Sequence, residues 1–173
     1  MPVESSNPGD TLKSMVPIPV CIEREVPGLG TEAAHFILSQ PFFILGTARE
    51  GADADCSYRG REPDLAGAWD PLLCVVDERT LVFPDFSGNN MYNSIGNLLC
   101  NGAVSLLFVD FECGASVCVS GNAQVEFTVS DEWRQVWSGA RSIIRVNIAD
   151  VRAMPRRELP RMRYVYHAVG RCL

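Results

Sequence analysis

The sequence predicts a mainly β protein, an antiparallel barrel with a few short helices. Short runs of apolar and β-branched residues, each bounded by turn residues, recur along most of the chain. Most of the predicted strands are neighbours in sequence, which favours antiparallel pairing over a doubly wound sheet. The chain has 173 residues, 47% of them apolar and 21% charged, and this balance is typical of one globular domain.

The first 30 residues are rich in Pro, Ser and Gly and show no sustained periodicity, so we expect an extended N-terminal arm. Thr31 is then predicted to cap a helix over residues 32–40, with acid in its first turn. Pro41 ends that helix because proline has no backbone N–H to donate.

Strands are predicted in the order in which the apolar runs follow one another. The segment Asp77-Glu78-Arg79 indicates a hairpin between two of them, and Gly121 indicates a bulge or a close backbone approach within another. Two further helices are predicted, one over residues 90–101 and a shorter one capped by Ser130. The predicted strands cover residues 42–48, 53–59, 72–77, 80–84, 103–111, 115–127 and 142–148.

Residue counts exclude several classes of chemistry. Lys13 is the single lysine and lies in the arm, which excludes a pyridoxal phosphate Schiff base, and no Gly-Lys-Ser/Thr occurs, which excludes a P-loop. Only two histidines are present, so we expect no metal site. The seven cysteines include no C-x-x-C pair and predict reduced thiols in a cytoplasmic protein. We find no signal peptide and no apolar stretch long enough to span a membrane.

Charge is distributed unevenly along the chain. Residues 1–150 carry nine basic and 20 acidic groups, whereas residues 151–173 carry six arginines and one glutamate. Such a basic segment binds nucleic acid, an anion or a membrane in some proteins. No basic-aromatic RNA motif accompanies it, so we expect it to pack on the acidic barrel or on a partner subunit, with no nucleic acid and no membrane as partner.

The segment from Phe83 to Asn90 is the first candidate site. A strand ends, a glycine-containing turn follows, and a helix begins with asparagines. Free backbone N–H groups at such a helix start bind anions. The alternative is a plain helix cap, because Ser and Asn are favoured there in any case.

The second candidate site is the predicted strand around Ser57 and Arg59. Alternation places these two side chains on one face, and Cys56 and Tyr58 on the other. An arginine with a neighbouring hydroxyl suits a phosphate. The alternative is that Arg59 pairs with Asp55 or Asp64 instead.

In this order, five segments resemble the pyridoxamine 5′-phosphate oxidase-like family of FMN-binding split barrels. The resemblance covers about residues 31–150, and its most specific part is residues 80–98. The segments read FFILGTA from Phe42, DCSYRG from Asp55, DERTLVFPDFSGNNMYNSIGNL from Asp77, VSLLFVDF from Val104 and VCVSGNA from Val117.

The resemblance implies a six-stranded split barrel over residues 31–150, a homodimer, and one FMN per subunit in the dimer groove. It places the phosphate near Ser57 and Arg59 and near the turn and helix start at residues 87–90, and it places the flavin ring near the end of the strand that precedes this turn. The implied cofactor-binding residues are Ser57, Tyr58, Arg59, Phe83, Pro84, Asp85, Ser87, Asn89, Asn90, Asn97 and Cys118.

Two departures from the family pattern change the expected function. Asn90 stands where family members usually have Lys or Arg, so the phosphate charge falls mainly on Arg59. The Arg-x-His pair that holds pyridoxamine phosphate is missing. We therefore expect an FMN-dependent oxidoreductase acting on a small molecule other than a B6 vitamer. Tyr58 and His167 are the candidate proton relays, and the alternative is a non-catalytic flavin- or haem-binding module.

Overall fold

The computed structural model describes residues 24–26, 28–49, 54–61, 69–88, 91–154 and 160–163. Within these ranges the chain forms eight strands and three helices. They are β1 (Arg24–Val26), α1 (Thr31–Ser39), β2 (Phe42–Ala48), β3 (Ala54–Gly60), β4 (Cys74–Asp77), β5 (Thr80–Asp85), α2 (Asn93–Cys100), β6 (Ala103–Asp110), β7 (Ala115–Glu126), α3 (Asp131–Val136) and β8 (Ser142–Met154).

The strands form one antiparallel sheet, in the order β3-β2-β6-β7-β8-β5-β4, with β1 paired to β8. The predicted fold class is confirmed. The described path has seven strands rather than the six that the resemblance implies, and each of the seven overlaps a strand predicted above. Strand β3 forms one edge of the sheet and β4 the other.

The core lies on the concave face of the sheet. In β2 the side chains of Phe43, Leu45 and Thr47 are buried while their neighbours are partly exposed, as the period of two predicts. A second, smaller cluster surrounds Trp137, which is fully buried and donates its Nε1–H to the backbone oxygen of Pro71 at 2.7 Å. Burial of each large apolar side chain of this kind contributes roughly 1.5–3 kcal/mol to the free energy of folding.

Of the two predicted helix caps, the structure confirms Ser130 and contradicts Thr31. Ser130 caps α3, since its hydroxyl accepts a hydrogen bond from the backbone N–H of Trp133 at 3.5 Å. The prediction for Thr31 is wrong. Thr31 is the first helical residue of α1, and the extended Gly30 is the N-cap, whose carbonyl accepts from Ala34 N at 2.9 Å without any side-chain cap.

Helix α2 begins at Asn93 and not at residue 90 as predicted. The residue before it, Tyr92, has a φ of 53°, the left-handed conformation that a bulky residue seldom adopts. Arg141 Nη1 donates to Tyr92 Oη at 2.6 Å and so contributes to fixing this residue. The turn into the helix therefore has a conformation that local propensity does not indicate.

Gly121 lies at a register shift between β7 and β8, between the pairs Ser120↔Asp150 and Gly121↔Ile148. A Cβ on Gly121 would overlap the backbone oxygen of Asn147. Both parts of the prediction for this glycine, a bulge and a close backbone approach, are thus confirmed.

Both ends of the described chain contact the barrel. Strand β8 runs beyond residue 148, where we predicted its end, and Ala153 pairs with Arg24 of β1. Further along, Met162 N donates to Phe111 O at 3.1 Å, and Arg161 and Arg163 border an open surface depression together with Glu112. This part of the basic segment therefore lies against an acidic turn of its own chain. Among the described residues, no helix is long and apolar enough to cross a membrane.

Candidate functional site

Side-chain contacts join strands β2 and β3, at one end of the sheet order, to β5 near the other end. Arg59 on edge strand β3 reaches Asp85 on β5, with Nη1 and Oδ1 2.7 Å apart. The rings of Phe43 on β2 and Phe83 on β5 meet edge to face, with centroids 5.1 Å apart. Strands β3 and β5 are not neighbours in the sheet, so these contacts cross the split of the barrel. We call this place the seam.

A pocket of about 230 Å³ opens at the seam. Five residues of the predicted cofactor set border it, namely Tyr58, Arg59, Phe83, Pro84 and Ser87. The structure therefore brings residues from two distant segments of the chain together around one pocket. The full lining is Phe43, Tyr58, Arg59, Gly60, Arg61, Leu72, Phe83, Pro84, Phe86, Ser87 and Gly88.

Arg59 has both a fixed partner and an unused donor. Its side chain is 21% exposed and that of Asp85 only 10%, so the pair is largely desolvated. Among the described residues the partner is thus Asp85 and not Asp55, whereas Asp64, the other alternative raised by the sequence, lies outside the described residues. The Nε of Arg59 is buried and has no hydrogen-bond partner in the part of the chain that the structure describes. Because a buried unpaired donor costs free energy, this atom marks a place where a ligand acceptor would stabilise the structure.

Ser57 and Asn97 lie outside the lining of the seam pocket. Ser57 Oγ is 3.0 Å from Ser94 Oγ, which in turn donates to Asp55 Oδ2 at 2.9 Å. Asn97 Nδ2 donates to Thr47 Oγ1 at 3.2 Å. These hydrogen bonds attach α2 to β2 and β3, so both side chains already have partners in the protein.

Tyr58 stands at the mouth of the pocket. It is 65% exposed, and its ring stacks on Phe42 with centroids 5.2 Å apart. The same ring lies over Gly60 so closely that a Cβ there would overlap it. The Tyr58 ring is thus held by Phe42 and Gly60 at the edge of the pocket.

Arg61 borders the same pocket, and our sequence reasoning did not single it out. It is exposed, and its Nη2 donates to Leu38 O at 3.3 Å. The spacing Arg59-x-Arg61 was the available signal, because alternate residues of an extended segment share a face.

Cys118 lies apart from the other predicted residues. It borders a second, more open groove of about 420 Å³ on the opposite face of the sheet, together with Ile44, Gly46, Cys56, Ser105, Leu107 and Arg152. Its Sγ is 3.3 Å from Ser105 Oγ and 4.0 Å from Arg152 Nη2. The structure therefore separates Cys118 from the seam pocket.

Two other features of the site chemistry concern thiols and metals. Burial raises the pKa of the Cys74 thiol, which keeps this thiol protonated at neutral pH. Cys74 packs beside the Trp137 cluster. In the part of the chain that the structure describes, no group of His, Cys, Asp and Glu could hold a metal ion. The predicted residues Asn89, Asn90 and His167 lie outside the described residues.

Solved structures share this fold at low sequence identity. HupZ of Group A Streptococcus aligns with a TM-score of 0.53 and 13% identity, over 70% of this chain and 90% of its own. A candidate pyridoxamine 5′-phosphate oxidase of Lactobacillus delbrueckii aligns with a TM-score of 0.56 and 16% identity, over 75% of this chain and 97% of its own. At these identities the likeness concerns the fold alone. No curated protein matches the chain significantly.

The sequence also matches a protein-family model, that of pyridoxamine 5′-phosphate oxidase, over residues 29–166. This range includes the seam pocket and every strand from β2 to β8. The chain belongs to the pyridoxamine 5′-phosphate oxidase family.

Proposed function

We propose that the protein binds FMN with its phosphate end in the seam pocket and acts as a cytoplasmic oxidoreductase on a small molecule that is not a B6 vitamer. The observation that carries the proposal is the buried Nε of Arg59, which has no hydrogen-bond partner among the described residues and belongs to a residue that borders the pocket. Family membership supports the choice of a flavin, and the five described cysteines, none of them in a disulfide, suit a reducing compartment.

The residues of the pocket fit the phosphate end of FMN. Arginine donors form short, charge-assisted hydrogen bonds with phosphate oxygens, and Arg59 has an unused donor for one. Ser87 is exposed at the rim, and no described atom apart from the chain neighbours of Gly88 lies within 4 Å of where a Cβ of that glycine would be. Phe83 and Phe43 form apolar walls beside the part of FMN that links its phosphate to the ring.

The pocket is too small for the whole cofactor. Its volume of about 230 Å³ lies below the roughly 300–1,000 Å³ of typical ligand sites. The pocket would therefore hold only the phosphate end of FMN, and Tyr58 is the exposed aromatic residue at its edge. A second subunit would cover the flavin ring there and exclude water.

When bound, FMN supplies the hydride chemistry. The residues of the chain bind and orient it, and Tyr58 is the described candidate for moving a proton, because its hydroxyl is the one phenol at the pocket. Arg59 and Asp85 hold the strands that form the pocket walls in place. No general acid or base of strongly shifted pKa is needed for such a reaction.

One observation favours a second candidate function, a non-catalytic flavin- or haem-binding module. Asp85 neutralises the charge of Arg59, which lowers the affinity of the pocket for a phosphate.

The absorption spectrum of the purified protein separates the candidates, because bound flavin gives two bands in the near-ultraviolet and blue, whereas haem gives an intense Soret band. Bleaching of the flavin bands by a reductant and their recovery with an added acceptor would support the oxidoreductase. A Soret band would reject FMN.

We also propose a homodimer and expect light scattering to give about twice the 19.0 kDa mass of one chain. The physical reason is that the open groove bordered by Ile44 and Leu107 leaves an apolar part of the sheet face uncovered. A closed pair of identical subunits is the commonest way to cover such a surface. A mass of one chain over a wide range of protein concentration would contradict the dimer and weaken the proposed flavin site.

A further inference from the structure

We propose that Arg141 is a positioning residue for the seam pocket: by holding Tyr92 in its left-handed conformation, it fixes the pocket rim, residues 86–88, and helix α2 relative to each other. The inference rests on the proposed function, because the rim borders the place proposed for the FMN phosphate. Arg141 lies directly before β8 and does not itself border the pocket, so it acts through other residues.

Arg141 donates a hydrogen bond to each end of the chain segment that contains the rim. Its backbone N–H donates to Asp85 O, in the last residue of β5, at 2.8 Å. Its side-chain Nη1 donates to Tyr92 Oη, in the residue before α2, at 2.6 Å. The residues that follow Asp85, namely 86–88, all border the pocket. The segment between β5 and α2 therefore starts and ends on Arg141.

The bond between Arg141 and Tyr92 crosses the split of the barrel. Helix α2 is bonded to β3 through Ser94 and to β2 through Asn97, so its start belongs to that side of the split. Arg141 belongs to the other side, because the strand that it precedes, β8, pairs with β5. The exposed bond of Arg141 thus joins the same two sides as the ion pair of the seam, but from the surface.

The backbone of Tyr92 needs such a support. Its φ of 53° and ψ of 22° are left-handed, a conformation in which the side chain of an L-residue crowds its own backbone. The ring is 51% exposed, so its burial supplies only part of what holds it. The carbonyl of Tyr92 accepts from Gly96 N at 2.8 Å, which closes the first turn of α2. A change of conformation at Tyr92 would therefore open this turn and shift one end of the segment that carries the rim.

The test is a fluorescence titration of the full-length apoprotein with FMN in variants that remove either the bond or the strain. Arg141→Ala and Tyr92→Phe both remove the bond and leave a bulky side chain at position 92. Because the left-handed conformation then becomes a minor one, and FMN must select it, each variant should weaken FMN binding by roughly five- to thirtyfold.

Tyr92→Gly removes the bond and the strain together, because glycine adopts a positive φ about as readily as a negative one. This variant should bind FMN within about twofold of the wild type. Adding Arg141→Ala to Tyr92→Gly should change the affinity no further. A residue that merely supports the fold, or that attracts FMN by its charge, would cause the same loss with tyrosine and with glycine at position 92.

Amide hydrogen exchange of Gly96 in the ligand-free protein reports the same change without the cofactor, since its N–H is bonded to Tyr92 O. Exchange should be faster in Arg141→Ala and in Tyr92→Phe than in the wild type. Arg134→Ala is the matched control and should change neither readout, because Arg134 is also exposed but its side chain donates to Val129 O, at 3.1 Å.

Unchanged FMN binding in Arg141→Ala, or an equal loss with tyrosine and with glycine at position 92, would overturn the positioning role. Faster exchange at Gly96 without any loss of FMN affinity would overturn it too, since Arg141 would then stabilise α2 alone. Wild-type protein that binds no FMN would reject the proposed function instead. The exchange of Gly96 would then decide by itself whether Arg141 fixes the conformation of Tyr92.

Discussion

Gly121→Ala is expected to lower the free energy of unfolding by about 3 kcal/mol, the upper part of the range for overpacked sites. The added methyl group would overlap the backbone oxygen of Asn147 and press on Ile148 Cα in the neighbouring strand β8. Backbone atoms of a paired strand cannot rotate away as a side chain does. The β7–β8 ladder would have to separate at the register shift that follows Ser120.

Urea denaturation at a fixed protein concentration measures this loss. The matched control is Gly96→Ala in α2, where no atom lies within 4 Å of the new Cβ. Alanine there should stabilise the helix by roughly 0.5–1 kcal/mol, because glycine loses more backbone entropy on folding. Equal stability of Gly121→Ala and wild type would mean that β7 and β8 do not approach each other as described.

The strands could be predicted because buried and exposed side chains alternate along them, and this alternation depends on residues that are adjacent in the sequence. Residues 42–48 were predicted from sequence and form β2 with those bounds. The arm residues Arg24–Val26 were not predicted as a strand, since three residues have no period of their own and pair only because β8 runs on to Met154. The start of α2 was misplaced for a similar reason: the left-handed Tyr92 is held by Arg141, 49 residues away in sequence.

The sequence indicated which residues of β3 share a face, but not the side chains that they contact. Alternation placed Ser57 and Arg59 on one face of β3, and the structure agrees, because their partners Leu45 and Phe43 both point into the core. That Arg59 pairs with Asp85 depends on how far the sheet curls, a property of the whole barrel. Arg61, which also borders the pocket, was not among the predicted residues.

Arg59→Ala has the largest expected effect on the cofactor. A desolvated, charge-assisted contact is worth about 2–5 kcal/mol when truncated, so FMN binding should weaken roughly 30- to 3,000-fold at about 1.4 kcal/mol per tenfold. The loss has two sources. The phosphate loses the donor at Nε, and the carboxylate of Asp85, now without its partner at 2.7 Å, repels the dianion. Riboflavin has no phosphate and should bind mutant and wild type almost equally.

The same substitution also leaves a largely buried carboxylate unpaired, which costs about 3 kcal/mol or more of folding stability. The double variant Arg59→Ala/Asp85→Asn removes that charge and keeps the affinity measurement possible if the single variant unfolds.

Asp85→Asn alone should tighten FMN binding, because the guanidinium then keeps its full charge for the phosphate. Arg145→Ala is the control, since it breaks an ion pair of the same 2.7 Å length, with Glu126, outside the pocket lining. If the folded Arg59 variants lose FMN and riboflavin equally, Arg59 supports the barrel and the phosphate lies elsewhere.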